Sequence, residues 1–545
     1  MKPIMSIPRT NSNELRVKNM HMIASSPLKN KYTLMKKAII LLACSLAILS
    51  GCKKGLEANL PGTLNPNTFP KTEADFQSLT TDVYKLFTSK WSYTDGRAPG
   101  ASSGGTVGDQ FYGVEMSNLF LNDYPGEHMT VFTDWGGFFE SLSKADFNFM
   151  KTLSSRRNHL EKIRFITKIT KIIGDLSASN AISDAAKDAY IAEARAARGI
   201  IMYNLLTMYG PVPYIDDPDL IGTTAESNMK RPDRAIYVNR VASDLRFAAD
   251  KLLKNPAEYG RFNKGCALTF LMRLYLFEKE WKKAEDTGRE ILTLGYDLVG
   301  DYSSLFKVSG EKNIETIWAV TCDPAANGND NLGNMNAWTY YTYPGDFPGN
   351  LNTAGKRTGG WASAFMATWS FYDSFSPSDS RRALLLESYE AVNSAGNPTG
   401  VTKGRSTGMR GAIINKYPDN DPTQFAGNDI PVCRYADVLL MLAEAINEQA
   451  GPTSEAREFV DKVRRRSNLL NLSGADIASP AAFKEAILRE RGWELFFEGH
   501  RRVDLVRMGK FMEKVTASGK TPSGTTQGLF PVPQYMLDQG MEPTP

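Results

Sequence analysis

The clearest structural signal in the chain is the stretch KGCALTFLMRLYLFEKEWKKAEDTGREILTL, residues 264–294. Its first half, Lys264–Glu278, carries apolar side chains at helical spacing, and Trp281–Leu294 repeats the pattern after a two-residue break. Two antiparallel helices of this length, with Ala at close-contact positions, are typical of a tetratricopeptide unit. The pair therefore predicts a mainly α fold, a tetratricopeptide-like helical solenoid, although a repeat of about 34 residues is not kept strictly.

Helical patterns continue on both sides of this pair. Thr72 is a predicted N-cap for a first helix, and the strongest pattern, Asp184–Tyr209, is stopped by Gly210-Pro211-Val212-Pro213. The chain has 545 residues, which is enough for a large core, so we expect the helices to stack into a continuous scaffold. Three further helices are predicted at Arg434–Gln449, Ser454–Ser467 and Ala481–Phe497.

Two segments interrupt the helical pattern. Residues 91–127 and 295–430 are rich in Gly, Asn, Asp, Pro and aromatic residues and hold few periodic apolar positions. Irregular segments this long in a compact protein are usually functional or disordered. We therefore predict a loop excursion at 91–127 and a large, loop-rich insertion at 295–430, the candidate ligand-binding region.

The N-terminal residues predict a secreted, lipid-anchored protein. Two lysines precede the apolar run Ala38–Leu49, and Leu49-Ser50-Gly51-Cys52 forms a lipobox, the cleavage and acylation signal of bacterial lipoproteins. The run is too short to cross a hydrocarbon core of about 30 Å, so we expect cleavage before Cys52 and anchoring by acyl chains such as palmitate. Met35 is the expected true start. The predicted parts are a leader at 1–51, a lipidated tether at 52–70, an N-terminal helical part at 71–294, the insertion at 295–430 and C-terminal helices at 431–545.

The charge of the chain argues against nucleic acid as a partner. The whole chain carries a net charge of +4, and residues 1–51 hold eight Lys or Arg against one Glu, a net of +7, so the remainder carries −3. A basic surface that would attract nucleic acid is therefore not expected after cleavage.

Sequence motifs of enzymes and metal sites are missing. No two histidines have the helical spacing of zinc ligands, and no Gly-x-Ser-x-Gly or phosphate-binding loop lies on a predicted strand–helix turn. We expect no cofactor, no metal and no catalysis, although a pair of carboxylates as in glycosidases stays possible from sequence alone. Cys266 and Cys433 lie in apolar patterns and are expected to be plain buried residues.

Three carboxylates, Glu490, Glu494 and Glu498, recur every fourth residue and are predicted to share one helix face. A metal site or an acid–base pair is one interpretation. We favour a structural ion-pair network, because many guanidinium groups lie close in sequence and would neutralise the carboxylates. The same interpretation applies to Arg434 and Asp437. The neighbouring arginines are Arg489, Arg491, Arg501, Arg502 and Arg507.

Six segments in chain order resemble one known family. The most specific is Pro431-Val-Cys-Arg434-Tyr435-Ala436-Asp437, which continues through Ala443-Glu444-Ala445. The others are the lipobox, Glu193-Ala-Arg195-Ala-Ala-Arg198 with Tyr209-Gly210-Pro211-Val212-Pro213, Gly260-Arg261-Phe-Asn-Lys-Gly265, Glu490-Arg491-x-x-Glu494 with Glu498-Gly499-x-Arg501-x-x-Asp504-Leu505-x-Arg507, and Phe530-Pro531-Val532-Pro533. Together they resemble the SusD/RagB family, surface lipoproteins of Bacteroidota that accompany TonB-dependent transporters.

The sequence departs from the family pattern at two points. Acidic residues often follow the lipidated cysteine of exported members, whereas here Lys53 and Lys54 follow it and Glu57 is the first acid. The chain also lacks the usual final Asn-Pro. The first of these departures bears on export to the outer leaflet.

The resemblance implies a function outside the cytoplasm. It implies non-catalytic, cell-surface binding of an oligo- or polysaccharide and its delivery to a partner SusC-like TonB-dependent transporter of the outer membrane. A peptide-binding lipoprotein of the RagB type is the alternative within the binding class. A lipid-anchored hydrolase and a scaffold without a ligand are two further alternatives.

The candidate ligand-binding residues are aromatic side chains of the two irregular segments. Sugars present flat C–H faces that pack on aromatic rings, and the polar tips of Tyr and Trp suit a wet surface. For any single ring, packing of its own loop onto the helices is the alternative. The predicted binding residues are Trp91, Tyr93 and Arg97 from the first segment and Trp338, Tyr340, Tyr341 and Trp361 from the second.

The lipobox generates a direct test. Cys52→Ser removes the thiol that would carry the acyl chains, so the variant should lose acylation and leave the membrane fraction. Fractionation with acyl labelling measures both properties. Membrane retention of a non-acylated variant, in cells without the transporter, would contradict the prediction.

Overall fold

A computed structural model describes residues 69–88, 111–112, 117–131, 137–152, 158–322, 336, 339–348, 365–418, 427–525 and 527–545. The chain divides into two units, Met1–Phe69 and Pro70–Pro545, and only Phe69 of the first unit is described. The leader, the lipobox and the tether up to residue 68 therefore lie outside the described residues. No helix within the described ranges is long and apolar enough to cross a membrane.

Long helices pack in chain order and form the scaffold. In the series α4 to α8, each helix packs against the one that follows it in the chain. Helix α8 packs against α11, and α11 packs against both α12 and α13. The polypeptide between α8 and α11 thus leaves the stack and returns to it, which confirms the predicted helical solenoid with a large insertion. The helices are α1 Glu73–Thr81, α2 Asn118–Asp123, α3 Gly137–Ser143, α4 Ile163–Ala178, α5 Asp184–Tyr209, α6 Arg234–Lys251, α7 Lys264–Phe277, α8 Trp281–Leu292, α9 Thr339–Thr342, α10 Trp369–Ser374, α11 Tyr435–Ala450, α12 Ser454–Arg466, α13 Pro480–Glu494, α14 Arg501–Arg507, α15 Phe511–Ala517 and α16 Gln534–Asp538.

Local signals fix several helix ends as predicted. The Thr72 side chain accepts a hydrogen bond from the Asp75 N–H, and the Asp75 side chain accepts one from the Thr72 N–H. This reciprocal pair is a capping box at the start of α1. Helix α5 has the predicted bounds and ends at Gly210, whose φ of 76° is left-handed. Cys266 and Cys433 are buried free thiols, as expected, and so is Cys322.

The insertion contains small sheets as well as loops. Strand β2 pairs antiparallel with β8, β5 pairs with β6, and a four-stranded sheet has the order β1-β3-β7-β4. Most of these strands have two to five residues, too short for an alternating pattern to stand out in the sequence. The strands are β1 Met129–Val131, β2 Thr316–Val320, β3 Phe365–Thr368, β4 Leu385–Leu386, β5 Ser388–Val392, β6 Pro398–Gly404, β7 Gly411–Ile414 and β8 Ile430–Arg434.

The last part of the predicted excursion at 91–127 belongs to the core. Residues 118–123 form helix α2, all of whose residues are buried, and Ser117 caps it by accepting the Phe120 N–H. Tyr112 is buried too and lies edge-on to Trp318, with 6.4 Å between ring centroids. The prediction of an irregular segment therefore missed the helix at 118–123, because so short a buried helix leaves no periodic pattern.

The carboxylate row is a buried structural network, as predicted. Glu494 is the central member: Arg434 Nη1 lies 2.9 Å from Glu494 Oε1, and Arg381 Nη1 lies 3.1 Å from Glu494 Oε2. Burial alone would raise the pKa of Glu494, but Arg466, Arg434 and Arg381 outweigh it and hold the pKa below its usual value. The network joins five buried carboxylates to five cations: Glu315, Asp379, Glu490, Glu494 and Glu498 with Arg381, Lys416, Arg434, Arg464 and Arg466.

The partners of this row differ from those the sequence suggested. Helix α13 ends at Glu494, so Glu498 comes from the turn that follows, where Phe497 has a φ of 56°. Among the nearby arginines, Arg491 instead binds Asp437 at 2.7 Å and Asp504 at 2.8 Å in a second buried network. Arg273 of α7 reaches the same Asp437 at 2.9 Å and ties the tetratricopeptide-like pair to the C-terminal helices. Cations that lie far away in the sequence therefore neutralise the carboxylates of Glu490, Glu494 and Glu498.

Removing Glu494 should destabilise the whole fold. Glu494→Ala leaves three guanidinium groups buried without their shared carboxylate, and breaking a buried pair costs about 3–5 kcal/mol. Urea unfolding of the full chain measures the loss. The control is Glu458→Ala, which breaks a surface pair with Arg465 whose side chains are 59% and 45% exposed and should change stability by less than about 1 kcal/mol. An unchanged melting temperature with loss of ligand binding would move Glu494 from the scaffold to the site.

Acid should weaken the fold through His128. Its ring stacks on Phe371 with 3.9 Å between centroids, and burial, then Arg501, lowers the pKa of His128 to about 3. The folded state thus keeps His128 neutral while the unfolded chain protonates it, so stability present above about pH 6.5 is lost as the pH falls. Between about pH 6 and pH 4, the free energy of unfolding of His128→Phe should fall by about 1.4 kcal/mol less per pH unit than that of the wild type. Equal slopes in urea unfolding would contradict this account.

Candidate ligand-binding groove

Most of the predicted binding residues lie outside the described residues. Five of these residues lie there: Trp91, Tyr93, Arg97, Trp338 and Trp361. Tyr340 belongs to helix α9, and its side chain lies outside the described part as well. The predicted surface position of Tyr341 is contradicted, because its side chain is only 1% exposed. The centroid of its ring lies 5.4 Å from the ring centroids of both Phe120 and Phe139. Other aromatic rings, rather than aliphatic side chains, supply the packing partners of this loop.

A surface groove lies beside Thr88 and Thr321, near the ends of two described stretches of the chain. It consists of two adjoining cavities of about 320 Å³ and 350 Å³ that share the residues of one loop and of strand β2. We call it the β2 groove and define it by residues 84–88, 254–261 and 316–321 together with Tyr296 and Lys312. Thr88 is the last residue described before 89–110, the stretch that contains Trp91, Tyr93 and Arg97, and Thr321 lies directly before Cys322, the last residue described before 323–335.

The loop of the groove is fixed by the residues Gly260-Arg261-Phe262-Asn263. Gly260 has a φ of 90°, and a Cβ atom there would lie 2.7 Å from Thr321 Cγ2, so glycine is needed for both reasons. The Gly260 carbonyl accepts the Trp318 Nε1–H at 2.9 Å. Asn263 caps α7 by accepting the Cys266 N–H at 2.8 Å and donates to the Ile317 carbonyl at 2.7 Å. These bonds hold the loop to β2.

The α1 side of the groove is held by a buried tyrosine. Tyr84 Oη donates to Glu193 Oε2 at 2.5 Å and accepts the Phe262 N–H at 2.9 Å. Burial, then Glu193, raises the pKa of Tyr84 well above its ordinary value, so the hydroxyl stays protonated. Arg261 lies between Glu193 at 3.0 Å and Glu258 at 2.7 Å, and these two carboxylates neutralise its charge.

The opposite side of the groove carries tyrosines and lysines. Tyr259 is 39% exposed, with Lys312 Nζ over its ring at 5.2 Å. Lys254 Nζ lies over the ring of Tyr296 at 5.4 Å. Trp318, by contrast, is only 3% exposed and forms the floor of the groove rather than a stacking surface.

Acidic groups contribute little to the described lining of the groove. Glu258 is the acidic residue that lines it, and Arg261 neutralises that carboxylate. Among the described residues, no group of three or more His, Cys, Asp or Glu is placed to hold a metal ion. What the described lining offers a ligand is an exposed tyrosine, two ammonium groups and polar backbone.

This groove was not predicted from the sequence. Its parts come from three distant stretches, and the one usable signal was the Gly260–Gly265 segment that carries the family resemblance. The fold and the groove together define a tetratricopeptide-like helical protein with a large insertion and a surface groove.

Comparison with known proteins supports the family resemblance. Residues 385–545 match the model of the SusD family. The chain is 26% identical over 501 residues to SusD-like protein P25 of Formosa agariphila, covering 85% of this chain and 88% of that one. It is 23% identical over 408 residues to the starch-binding protein SusD of Bacteroides thetaiotaomicron, covering 66% and 71%. These likenesses confirm the resemblance to the SusD/RagB family that was seen in the sequence.

Solved structures show the same fold. Surface glycan-binding protein A of Bacteroides thetaiotaomicron, solved in complex with laminarihexaose, has a TM-score of 0.67 and 18% identity, covering 87% of this chain and 99% of that one. At this identity the likeness concerns the fold alone.

Proposed function

We propose that this protein binds an oligo- or polysaccharide without catalysis and delivers it to a SusC-like TonB-dependent transporter. The observation that supports it most is the β2 groove, which has the exposed ring of Tyr259 in its lining and includes Thr88, directly before the stretch with Trp91, Tyr93 and Arg97. A groove on a helical frame, with an exposed ring in its lining, suits an extended ligand that stacks on rings. The glycan complexes of proteins with this fold point in the same direction.

The proposed binding surface combines the groove with the aromatic segments. Tyr259 contributes an exposed ring from the described part of the chain. Tyr341 is left out because it is a core residue. The other contributors we propose are Trp91, Tyr93, Arg97, Trp338, Tyr340 and Trp361.

The place of action proposed is the outer membrane. Cys52 would carry the lipid anchor, and residues 52–70 would form a tether that leaves the body of the protein at the cell surface. A tethered binding protein raises the local concentration of ligand at a transporter in the same membrane. The five-part division at 1–51, 52–70, 71–294, 295–430 and 431–545 belongs to the same proposal.

Loss of one stacking ring should weaken binding without affecting the fold. Each such ring is expected to contribute about 1–2 kcal/mol, so Trp338→Ala and Trp361→Ala should each weaken binding about fivefold to thirtyfold. Calorimetry and affinity electrophoresis against laminarin, starch and charged polysaccharides measure binding, and thermal melts measure stability. A pool of peptides tests the alternative ligand class.

The buried ring of Tyr341 supplies the contrast. Tyr341→Leu should lower the melting temperature, because it removes a ring that packs on Phe120 and Phe139. If both tryptophan variants bind like the wild type, the ligand surface lies elsewhere. If both melt early, those rings support the core instead.

A further inference from the structure

We infer that the β2 groove takes an anionic sugar, one that carries a carboxylate or a sulfate ester, and that Lys254 and Lys312 bind this group. The inference rests on the proposed function and specifies the charge of the ligand. It follows from what the two lysines cover and from the charges that line the groove.

The lysines cover ring faces that a neutral sugar would otherwise use. Lys312 Nζ lies 5.2 Å from the centre of the Tyr259 ring, and Lys254 Nζ lies 5.4 Å from that of Tyr296. A cation at this distance is attracted by the ring but keeps its full charge. The groove therefore presents ammonium groups at these two positions. A neutral sugar would have to displace a lysine before it could stack on the same ring face.

The charge of these lysines is not cancelled within the described part of the protein. Neither Lys254 nor Lys312 forms an ion pair with a described residue, in contrast to Arg261 of the same groove. Asp429 senses the charge of Lys312 but is buried and already accepts the Cys322 N–H at 2.8 Å. The 320 Å³ cavity has Lys254, Arg261 and Lys312 in its lining and no Asp or Glu.

The backbone fixes Lys312 in this position. Its φ of 57° is left-handed, a conformation that side chains other than Gly, Asn and Asp adopt rarely. The next residue, Asn313, holds the turn, because its Oδ1 accepts the N–H groups of Glu315 and Thr316 at 2.8 Å each. The lysine is thus presented by a fixed turn at the start of β2, which favours a specific contact over a loose surface charge.

Overall charge does not account for anion binding. Residues 52–545 carry a net charge of −3, so an anionic polymer is not attracted to the molecule as a whole. Binding of such a polymer would have to come from a local cationic site, and it should weaken as salt rises because exposed charges are screened.

Affinity electrophoresis of the full chain tests the inference. The probes are laminarin and starch as neutral polymers, polygalacturonate and alginate as carboxylated ones, and carrageenan as a sulfated one. We expect the strongest retardation with a charged polymer and little with methyl-esterified polygalacturonate. Stronger retardation by carrageenan than by polygalacturonate assigns sulfate, and the reverse assigns carboxylate.

Three matched variants locate the site. Lys254→Gln and Lys312→Gln should each weaken binding about threefold to fivefold, the range of an exposed ion pair, and reduce its salt dependence. The control is Lys230→Gln. Lys230 is exposed, and α6, a helix of 18 residues and about 27 Å, lies between it and Lys254 in the chain. It should bind like the wild type, and all three should melt normally.

The outcomes separate this inference from the proposed function. Strong binding of laminarin or starch with none of the charged polymers would overturn the inference and leave glycan binding intact. Equal losses in Lys230→Gln and the two groove variants, or no loss in any of them, would also overturn it. No binding of any polysaccharide would overturn the proposed function and the inference together.

Discussion

The ion pairs around Glu494 are the constraint on which the rest of the structure depends. Taking this many charges out of water is costly, and it is tolerated only because each buried carboxylate of the network meets a guanidinium or ammonium group. The network also fixes the groove. Glu315 directly precedes β2, and Arg434, at the end of β8, binds it at 2.6 Å. The strand that forms the groove floor is thereby locked to helix α13, with no binding residue taking part.

The parts of the fold that could be predicted are those set by local physics. Helix α5 begins after a serine cap and ends at a left-handed glycine, so its bounds could be predicted from the sequence. Glu498 shows where this reasoning fails. The four-residue spacing suggested one helix through Glu490, Glu494 and Glu498, but α13 ends at Glu494. Arg434 and Lys416, which hold Glu498 in the turn beyond, come from distant stretches and left no local signal.

The site was harder to predict, because aromatic composition does not reveal exposure. Tyr341 lies in a segment poor in aliphatic residues, which suggested an exposed ring. Its actual partners are Phe120, Phe139 and Phe365, contributed by α2, α3 and β3, and they bury it as well as aliphatic residues would. The β2 groove was missed for a related reason. It forms only when residues 84–88, 254–261 and 316–321 meet, and the spacing within each stretch contains no trace of the others.

The two kinds of charge in this molecule have different consequences. In the two buried networks around Glu494 and Asp437, carboxylates and cations are matched, so these charges contribute specificity of packing and leave nothing to attract a ligand. At the β2 groove, Arg261 follows the same rule, held between Glu193 and Glu258. Lys254 and Lys312 do not, since the described structure pairs them with ring faces, which hold a cation without neutralising it. The ammonium groups of Lys254 and Lys312 are therefore the charges of the β2 groove that stay available to an anionic ligand.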